Sequence, residues 1–247
     1  AQRDGHIDTV RDIVFSPDGR SALSISDDGT LIIWDVATLT KVRQVTFFEN
    51  LLWEVTGVVN ATYQLEGYKY DNTTESNLFL PPLWSIAYAP DGQHVLIGED
   101  NGNVIWWNPF IEGNAGVMFL EDSNGEIPHN DTVRSVAISP DNTFALTASD
   151  DGLFLQWNLS DSESPRLDTT TYESAGRIND IAISSDGKFA LTASESDNQE
   201  GTSYTVDMWD VESGERIRSL EGHTDWVSAV RYSTNGRFAV STSADNS

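Results

Sequence analysis

Of the side chains that do acid–base, nucleophilic or metal chemistry, this sequence is rich in one kind and poor in the rest. Asp and Glu number 39 among 247 residues, cysteine is absent, and the histidines are four: His6, His94, His129 and His223. Without cysteine there is no thiol nucleophile, no Cys-ligated zinc or iron–sulfur site and no disulfide scaffold. No Gly-rich phosphate loop, His-Glu-x-x-His or Gly-x-Ser-x-Gly motif occurs. Carboxylates are so frequent that adjacent pairs arise by chance, and none reads as an acid/base dyad. Asp27-Asp28, Asp150-Asp151 and Glu195-Ser-Asp197-Asn-Gln-Glu200-Gly offer the oxygen ligands that hard cations prefer. None has the spacing of a calcium loop, and they read as turn residues. The sequence thus predicts a non-enzymatic protein with no catalytic residue, no cofactor and no metal site.

Charge narrows the partners. Lys and Arg total 14, giving a formal net charge of −25, and only Lys41, Lys69 and Lys188 are lysines. Duplex nucleic acid and anionic membrane surfaces both need clustered cations, so neither is expected. Basic protein partners are favoured, with salt-sensitive association. No run approaches the roughly 20 apolar residues of a membrane helix, so no direct membrane insertion is expected. The segment Ala1-Gln-Arg-Asp-Gly-His6 lacks a basic region followed by an apolar one, as a signal peptide would have. Absent cysteine, scarce lysine and high acidity lean toward an extracytoplasmic setting. The four Asn-x-Ser/Thr sequons, at Asn60, Asn72, Asn130 and Asn158, are few enough to arise by chance.

The histidines lead to the elements that must position them. Five segments of the chain repeat one pattern, aligned at residues 16, 89, 139, 184 and 233, with spacings of 73, 50, 45 and 49. In the first, Val10-Arg-Asp-Ile-Val-Phe15 is an apolar strand and Ser16-Pro-Asp-Gly a turn. Residues 21–26 form a second strand, Asp27-Asp-Gly29 a second turn, 30–36 a third strand and 41–46 a fourth. Apolar residues lie on both faces, as expected when each sheet is sandwiched between two others. Four antiparallel strands in about 45 residues predict a propeller blade.

These units resemble WD repeats over about residues 5–46 and 83–247. Gly5-His6 and Gly222-His223 lie ten residues before Ser16 and Ser233, and Trp34-Asp35 and Trp209-Asp210 close third strands. The near-consensus units are similar to long bacterial arrays of such repeats. The resemblance implies a hydrogen-bonded tetrad inside each blade. The first unit supplies His6, Ser24, Asp28 and Trp34; the third supplies His129, Thr147, Asp151 and Trp157. The fifth supplies His223, Ser241 and Asp245, its Trp falling beyond residue 247. The fourth keeps Thr192 and Trp209 but has Ser174 at the His position. The second has Phe79, Ile97 and Asn101 where His, Ser and Asp belong. The second and fourth are expected to hold their edges by packing alone. Three of the four histidines are thereby structural, and His94, in a second strand, is an ordinary packed or surface residue.

The expected fold is all-β, a WD-repeat β-propeller with about four and a half to five blades of a seven-bladed ring. The units are 5–46, 83–120, 129–171, 174–220 and an incomplete 221–247, with an insertion at 47–82. That insertion is rich in aromatics and alternates over 59–67, which predicts an added strand or hairpin. It either binds partners or caps the second blade. A second, shorter insertion makes residues 195–203 a long b–c loop. Both emerge at one end of the ring, as does Trp226. The partner-binding face is therefore expected to hold Trp53, Tyr63, Tyr68, Tyr70, Asp197, Glu200, Asp225 and Trp226. The function expected is a scaffold for protein–protein recognition through that face. The alternative is a ligand- or substrate-binding propeller of a larger secreted or membrane-anchored enzyme or sensor.

Overall fold

Short β-branched runs separated by Ser-x-Asp-Gly and Asp-Gly turns leave the chain little choice but antiparallel ribbons. The computed structural model describes residues 5–48, 51–59, 62–65, 80–112, 116–122, 124–162, 164–174, 176–198 and 201–247. For 48, 51–59, 62–65, 169–171, 196–198 and 201 it describes the backbone only. Among the described residues there is no α-helix. The first sheet orders β1 (Val10–Phe15), β2 (Ser21–Ser26), β3 (Thr30–Asp35), β4 (Thr40–Phe48), β5 (Leu51–Val59) and β6 (Thr62–Leu65). The second holds β7 (Leu83–Tyr88), β8 (Val95–Glu99), β9 (Val104–Trp107) and β10 (Val117–Leu120). The third holds β11 (Val133–Ile138), β12 (Phe144–Ser149), β13 (Leu153–Asn158) and β14 (Arg166–Glu173). The fourth holds β15 (Ile178–Ile183), β16 (Phe189–Asn198), β17 (Gly201–Asp210) and β18 (Arg216–Leu220). The fifth pairs β19 (Val227–Tyr232) with β20 (Ala239–Ser243).

The sheets stand side by side with their first strands in succession, β1 by β7, β7 by β11, β11 by β15 and β15 by β19. Four apolar layers fill the gaps. Leu23, Ile25, Leu31, Val45 and Phe47 meet Leu83, Ile97 and Trp107 between the first two sheets. Trp106 and Leu96 meet Val136 and Trp157 in the next layer, and Phe154 and Tyr172 meet Ile181 and Trp209 in the third. Leu191 and Val206 meet Val227 and Val230 in the last. The two outermost flanks stay open: Ile13 and Phe15 on β1, Phe238 just before β20 and Val240 on it are more than half exposed. This is a stretch of propeller, one apolar layer per pair of blades.

Two departures concern the insertions. The stretch after β4 pairs as added strands β5 and β6, and β5 begins well before the alternating 59–67 segment. Residues 195–198 and 201–203, expected in a loop, are strand instead: β16 and β17 stay paired from Phe189↔Asp210 out to Asn198↔Gly201. Thr202, Tyr204 and Val206 keep the period of two, so the ladder runs on past the level where other blades turn.

One irregularity recurs in all five sheets. The pairing of each first strand slips between Val10 and Asp12, Leu83 and Ser85, Val133 and Ser135, Ile178 and Asp180, and Val227 and Ala229. Such a bulge re-aims the side chain at the slip. Here those side chains are Arg11, Trp84, Arg134, Asn179 and Ser228. Glycine is needed at Gly102, at φ +89°, where a Cβ would stand 2.1 Å from the carbonyl oxygen of His129. The entry loop of the third blade rests on that turn.

Candidate functional site

The tetrad residues run from the loop that enters each sheet and the β2–β3 turn, through the middle of β2, to the far end of β3 and their equivalents in the other sheets. Trp34 Nε1–H donates to Ser24 Oγ at 2.8 Å. Ser24 then has one proton left, which it gives to His6 Nε2 at 2.8 Å. His6 Nδ1 therefore carries the hydrogen and lies 3.1 Å from Asp28 Oδ2. The Ile7 amide also donates to Asp28, at 2.8 Å, and Thr30 Oγ1 does so at 2.6 Å. The third sheet repeats this chain: Trp157 to Thr147 at 3.0 Å, Thr147 to His129 at 2.9 Å, His129 to Asp151 at 3.0 Å. Burial pushes the Asp151 carboxyl up, but the His129 ring and the Leu153 and Asn130 amides outweigh it and hold the group below its ordinary value. In the fifth sheet His223 lies 2.8 Å from Ser241 and 2.9 Å from Asp245. The Ser247 hydroxyl and Thr224 amide hold Asp245 low. Thr30 and Ser247 are a fifth member that the sequence reading did not single out.

The fourth sheet does not rely on packing alone. Trp209 Nε1–H donates to Thr192 at 2.9 Å, Ser194 to Thr192 at 3.4 Å and Ser174 to Ser194 at 3.1 Å. Two serines span the distance that an imidazole covers elsewhere. Among the described residues of the second sheet there is no such chain. Ile97 takes the hydroxyl's place beside Trp107, whose buried Nε1–H has no acceptor among the described residues. Phe47, at the end of β4, packs edge-on against that indole with centroids 5.5 Å apart. Phe79 lies outside the described residues. Glu99, 1% exposed, accepts from Asn103 Nδ2 at 2.8 Å through Oε2, while Oε1 has no partner among the described residues. Burial drives its carboxyl up to about 7. His94 sits immediately before β8, not within it, and stacks on Trp106 with centroids 4.8 Å apart.

The bulged side chains build a mouth at the end where the sheets are entered. Trp84 lies between two guanidinium groups, with Arg11 Cζ 3.9 Å and Arg134 Cζ 4.2 Å from ring centroids. Each cation is held bidentately by a carboxylate of its own blade, Arg11 by Asp27 (2.5 and 2.6 Å) and Arg134 by Asp150 (2.9 and 2.6 Å). Trp84 Nε1–H donates to Asp100 at 2.7 Å. Sequence reading passed over this plate, although Arg11, Trp84 and Arg134 sit at equivalent repeat positions and interrupt apolar strands. Below the mouth, polar bonds stitch blade to blade. The Ile86 amide donates to Asp12 at 3.3 Å, Ser135 to Asp180 at 2.8 Å, and the Val230 amide to Asp180 at 2.8 Å. Arg231 closes on the same carboxylate. Burial raises the Asp12 carboxyl.

Of the expected partner-binding residues, Asp225 and Trp226 have described side chains. Trp226 is 44% exposed, and its amide donates to Asp225 Oδ1 at 2.8 Å. Trp53 lies on β5, Tyr63 on β6 and Asp197 on β16, each with its backbone alone described. Tyr68, Tyr70 and Glu200 lie outside the described residues. Among the described residues no three His, Asp or Glu side chains are grouped to hold a metal ion, and no helix is long and apolar enough to cross a membrane.

A family model described as "WD domain, G-beta repeat" matches residues 1–35, 79–108, 124–158 and 214–247, more than half of the chain. Apoptotic protease-activating factor 1 of Rattus norvegicus is 24% identical over 254 residues, 98% of this chain and 18% of that protein. Pre-mRNA-processing factor 19 homolog 2 of Arabidopsis thaliana is 29% identical over 168 residues, 65% of this chain and 28% of that protein. Polyadenylation factor subunit 2 of Candida albicans is 23% identical over 158 residues, 64% of this chain and 22% of that protein. The chain spans less than a third of the length of these relatives.

Proposed function

The chain belongs to the WD-repeat family, and from that premise we propose that it is a non-enzymatic scaffold that recognises protein partners through the end of the sheets bearing the entry loops. The observation that carries this reading is where the extra backbone lies. β4 runs on past its Thr46↔Thr30 pairing to Phe48 and turns back as β5. β16 and β17 likewise overrun the level at which the first sheet turns. Both extensions therefore overhang the end that carries Trp226 and the Arg11–Trp84–Arg134 plate. Added length on a rigid scaffold is where binding surfaces are usually built. An exposed, backbone-anchored tryptophan is the kind of residue that dominates interface energies. The named relatives are a protease-activating factor, a pre-mRNA-processing factor and a polyadenylation factor component, and what they share with this chain is the repeat.

On this reading the tetrads are structural and hold the blades rigid. The cations of the mouth are already neutralised by Asp27 and Asp150, so the surplus carboxylates of a chain at −25 set the surface potential. A basic protein surface fits it; a phosphate backbone does not. The test is cross-linked affinity capture with the wild-type chain, with Trp226→Ala, and with Arg20→Ala in a turn at the opposite end. A specific partner is expected to be lost with Trp226→Ala, retained with Arg20→Ala and weakened as salt is raised. Capture that survives Trp226→Ala and fails with Arg20→Ala would place recognition at the other end.

A further inference from the structure

The second and third sheets are joined by residues 121–132, where 174–177 and 221–226 suffice at the next two junctions. The added length closes a turn. The Asp122 amide donates to the Glu126 carbonyl at 2.9 Å and the Gly125 amide to the Asp122 carbonyl at 3.1 Å. Asp122 Oδ1 accepts the Asn124 and Glu126 amides, at 2.7 and 3.0 Å. Glu121 and Glu126 therefore flank a turn of fixed shape, and Glu121 Oε2 stands 3.5 Å from where a Cβ on Gly125 would lie. Ile127, 54% exposed, rests its Cγ2 on the Gly102 turn of the second sheet.

A cavity of about 580 Å³ opens at this rim, where Asn101, Asn103, Glu121, Glu126, Ile127 and His129 line it. The sheets on either side each have all four strands, so the cavity belongs to a finished junction. No lysine or arginine lines it, and among the described residues neither Glu121 nor Glu126 pairs with a cation. Asn103 uses its Nδ2 on Glu99 at 2.8 Å, and its carbonyl oxygen has no donor among the described residues. The His129 ring nitrogens are both engaged, by Thr147 and Asp151. The cavity is thus rich in acceptors and poor in donors, with an aliphatic side chain uncovered at its edge.

We propose that this cavity receives an arginine side chain of a protein partner, the guanidinium held by Glu121, Glu126 and the Asn103 carbonyl oxygen and the methylenes laid on Ile127. A guanidinium carries five N–H donors in one plane and is weakly hydrated, so it suits a site of several acceptors better than an ammonium group does. The stem of such a side chain covers apolar surface while its head stays polar. A phosphate or carboxylate would meet acceptors like itself, and a purely apolar side chain would leave the two carboxylates to water. The inference gives the partner of the entry-loop end its chemistry at one place, and it rests on the reading of that end as a protein-binding surface.

The probe is N-acetyl-arginine methylamide, titrated to tens of millimolar into the isotopically labelled full chain and followed by NMR of the asparagine side-chain amides and the isoleucine methyls. Saturable shifts are expected at Asn101, Asn103 and Ile127. The citrulline analogue, which has the same shape without the charge, should not shift them, and the lysine analogue should bind more weakly. Glu126→Gln is expected to weaken the probe about fivefold, the upper range for an exposed ion pair. Glu212→Gln removes the same charge from an exposed turn at the opposite end of the sheets and should leave the probe's affinity unchanged. The absence of saturable shifts, equal binding of the citrulline or lysine analogue, or equal weakening by Glu212→Gln overturns the proposal. Trp226→Ala should not alter binding of the probe, so the two readings fail separately: a partner lost with Trp226→Ala while the probe does not bind would leave the proposed function standing without this site.

Discussion

Glu99 ends β8 at the position where Ser26, Ser149 and Ser194 stand in other sheets, and it is a carboxylate in a site built for a hydroxyl. One oxygen takes the Asn103 amide; the other has no hydrogen-bond partner among the described residues and is shut off from solvent. Burial carries the carboxyl from 4.5 to about 7. Unfolded, it titrates near its ordinary value. Below about pH 4.5 both states are protonated and the site contributes no penalty. Between about 5 and 7 the unfolded chain has lost a proton that the folded chain keeps, so stability falls as pH rises, and above about 7 the loss is complete. At about 1.4 kcal/mol per pH unit the full penalty is about 3 kcal/mol. Glu99→Gln keeps the shape and cannot ionise. Urea unfolding of both chains at pH 5 and pH 8 isolates the term, because the repulsion among the other carboxylates is common to both. At pH 5, where the unfolded carboxyl has already lost most of its proton, the glutamine chain should be more stable by about 0.8 kcal/mol, and at pH 8 by about 3 kcal/mol. A difference that is the same at both pH values would refute the assignment of the buried charge.

Three further outcomes follow from the tetrads and the inter-blade bonds. Trp157→Phe should cost about 1–3 kcal/mol more than Trp107→Phe in denaturant unfolding, because only the former leaves a buried hydroxyl without its donor. Ser194→Ala should destabilise by about 1 kcal/mol, and adding Ser174→Ala should change little more, since Ser194 already breaks the chain; a double-mutant cycle measures this. Asp180→Ala strands the Ser135 hydroxyl and the Val230 amide together, so a loss of about 2–4 kcal/mol is expected, with hydrogen exchange rising first in β19.

The architecture was legible because its signals are local and repeated. Ser-x-Asp-Gly turns, β-branched runs and Trp-Asp pairs recur at a spacing that one blade explains, and the resemblance to WD repeats, carried over position by position, implied the His6, His129 and His223 chains. What escaped depends on neighbours distant in sequence. Ser174 and Ser194 look like filler until β16 brings them beside Thr192. Glu99 reads as one acidic residue among 39 until burial is known. Residues 195–203 read as a loop because the extra length between Thr192 and Trp209 looks the same in sequence whether it leaves the ladder or prolongs it. Arg11, Trp84 and Arg134 are 73 and 50 residues apart, and only the succession of first strands stacks them.

The slip that recurs in every first strand separates two demands usually in conflict. A residue on a regular ladder belongs to one face or the other, so changing it disturbs the interior. The bulged residue belongs to neither, and in this molecule the five such places hold Arg, Trp, Arg, Asn and Ser on nearly the same backbone. The mouth can thus be rewritten one letter at a time, like type set in a fixed frame, while the layers beneath keep their fit.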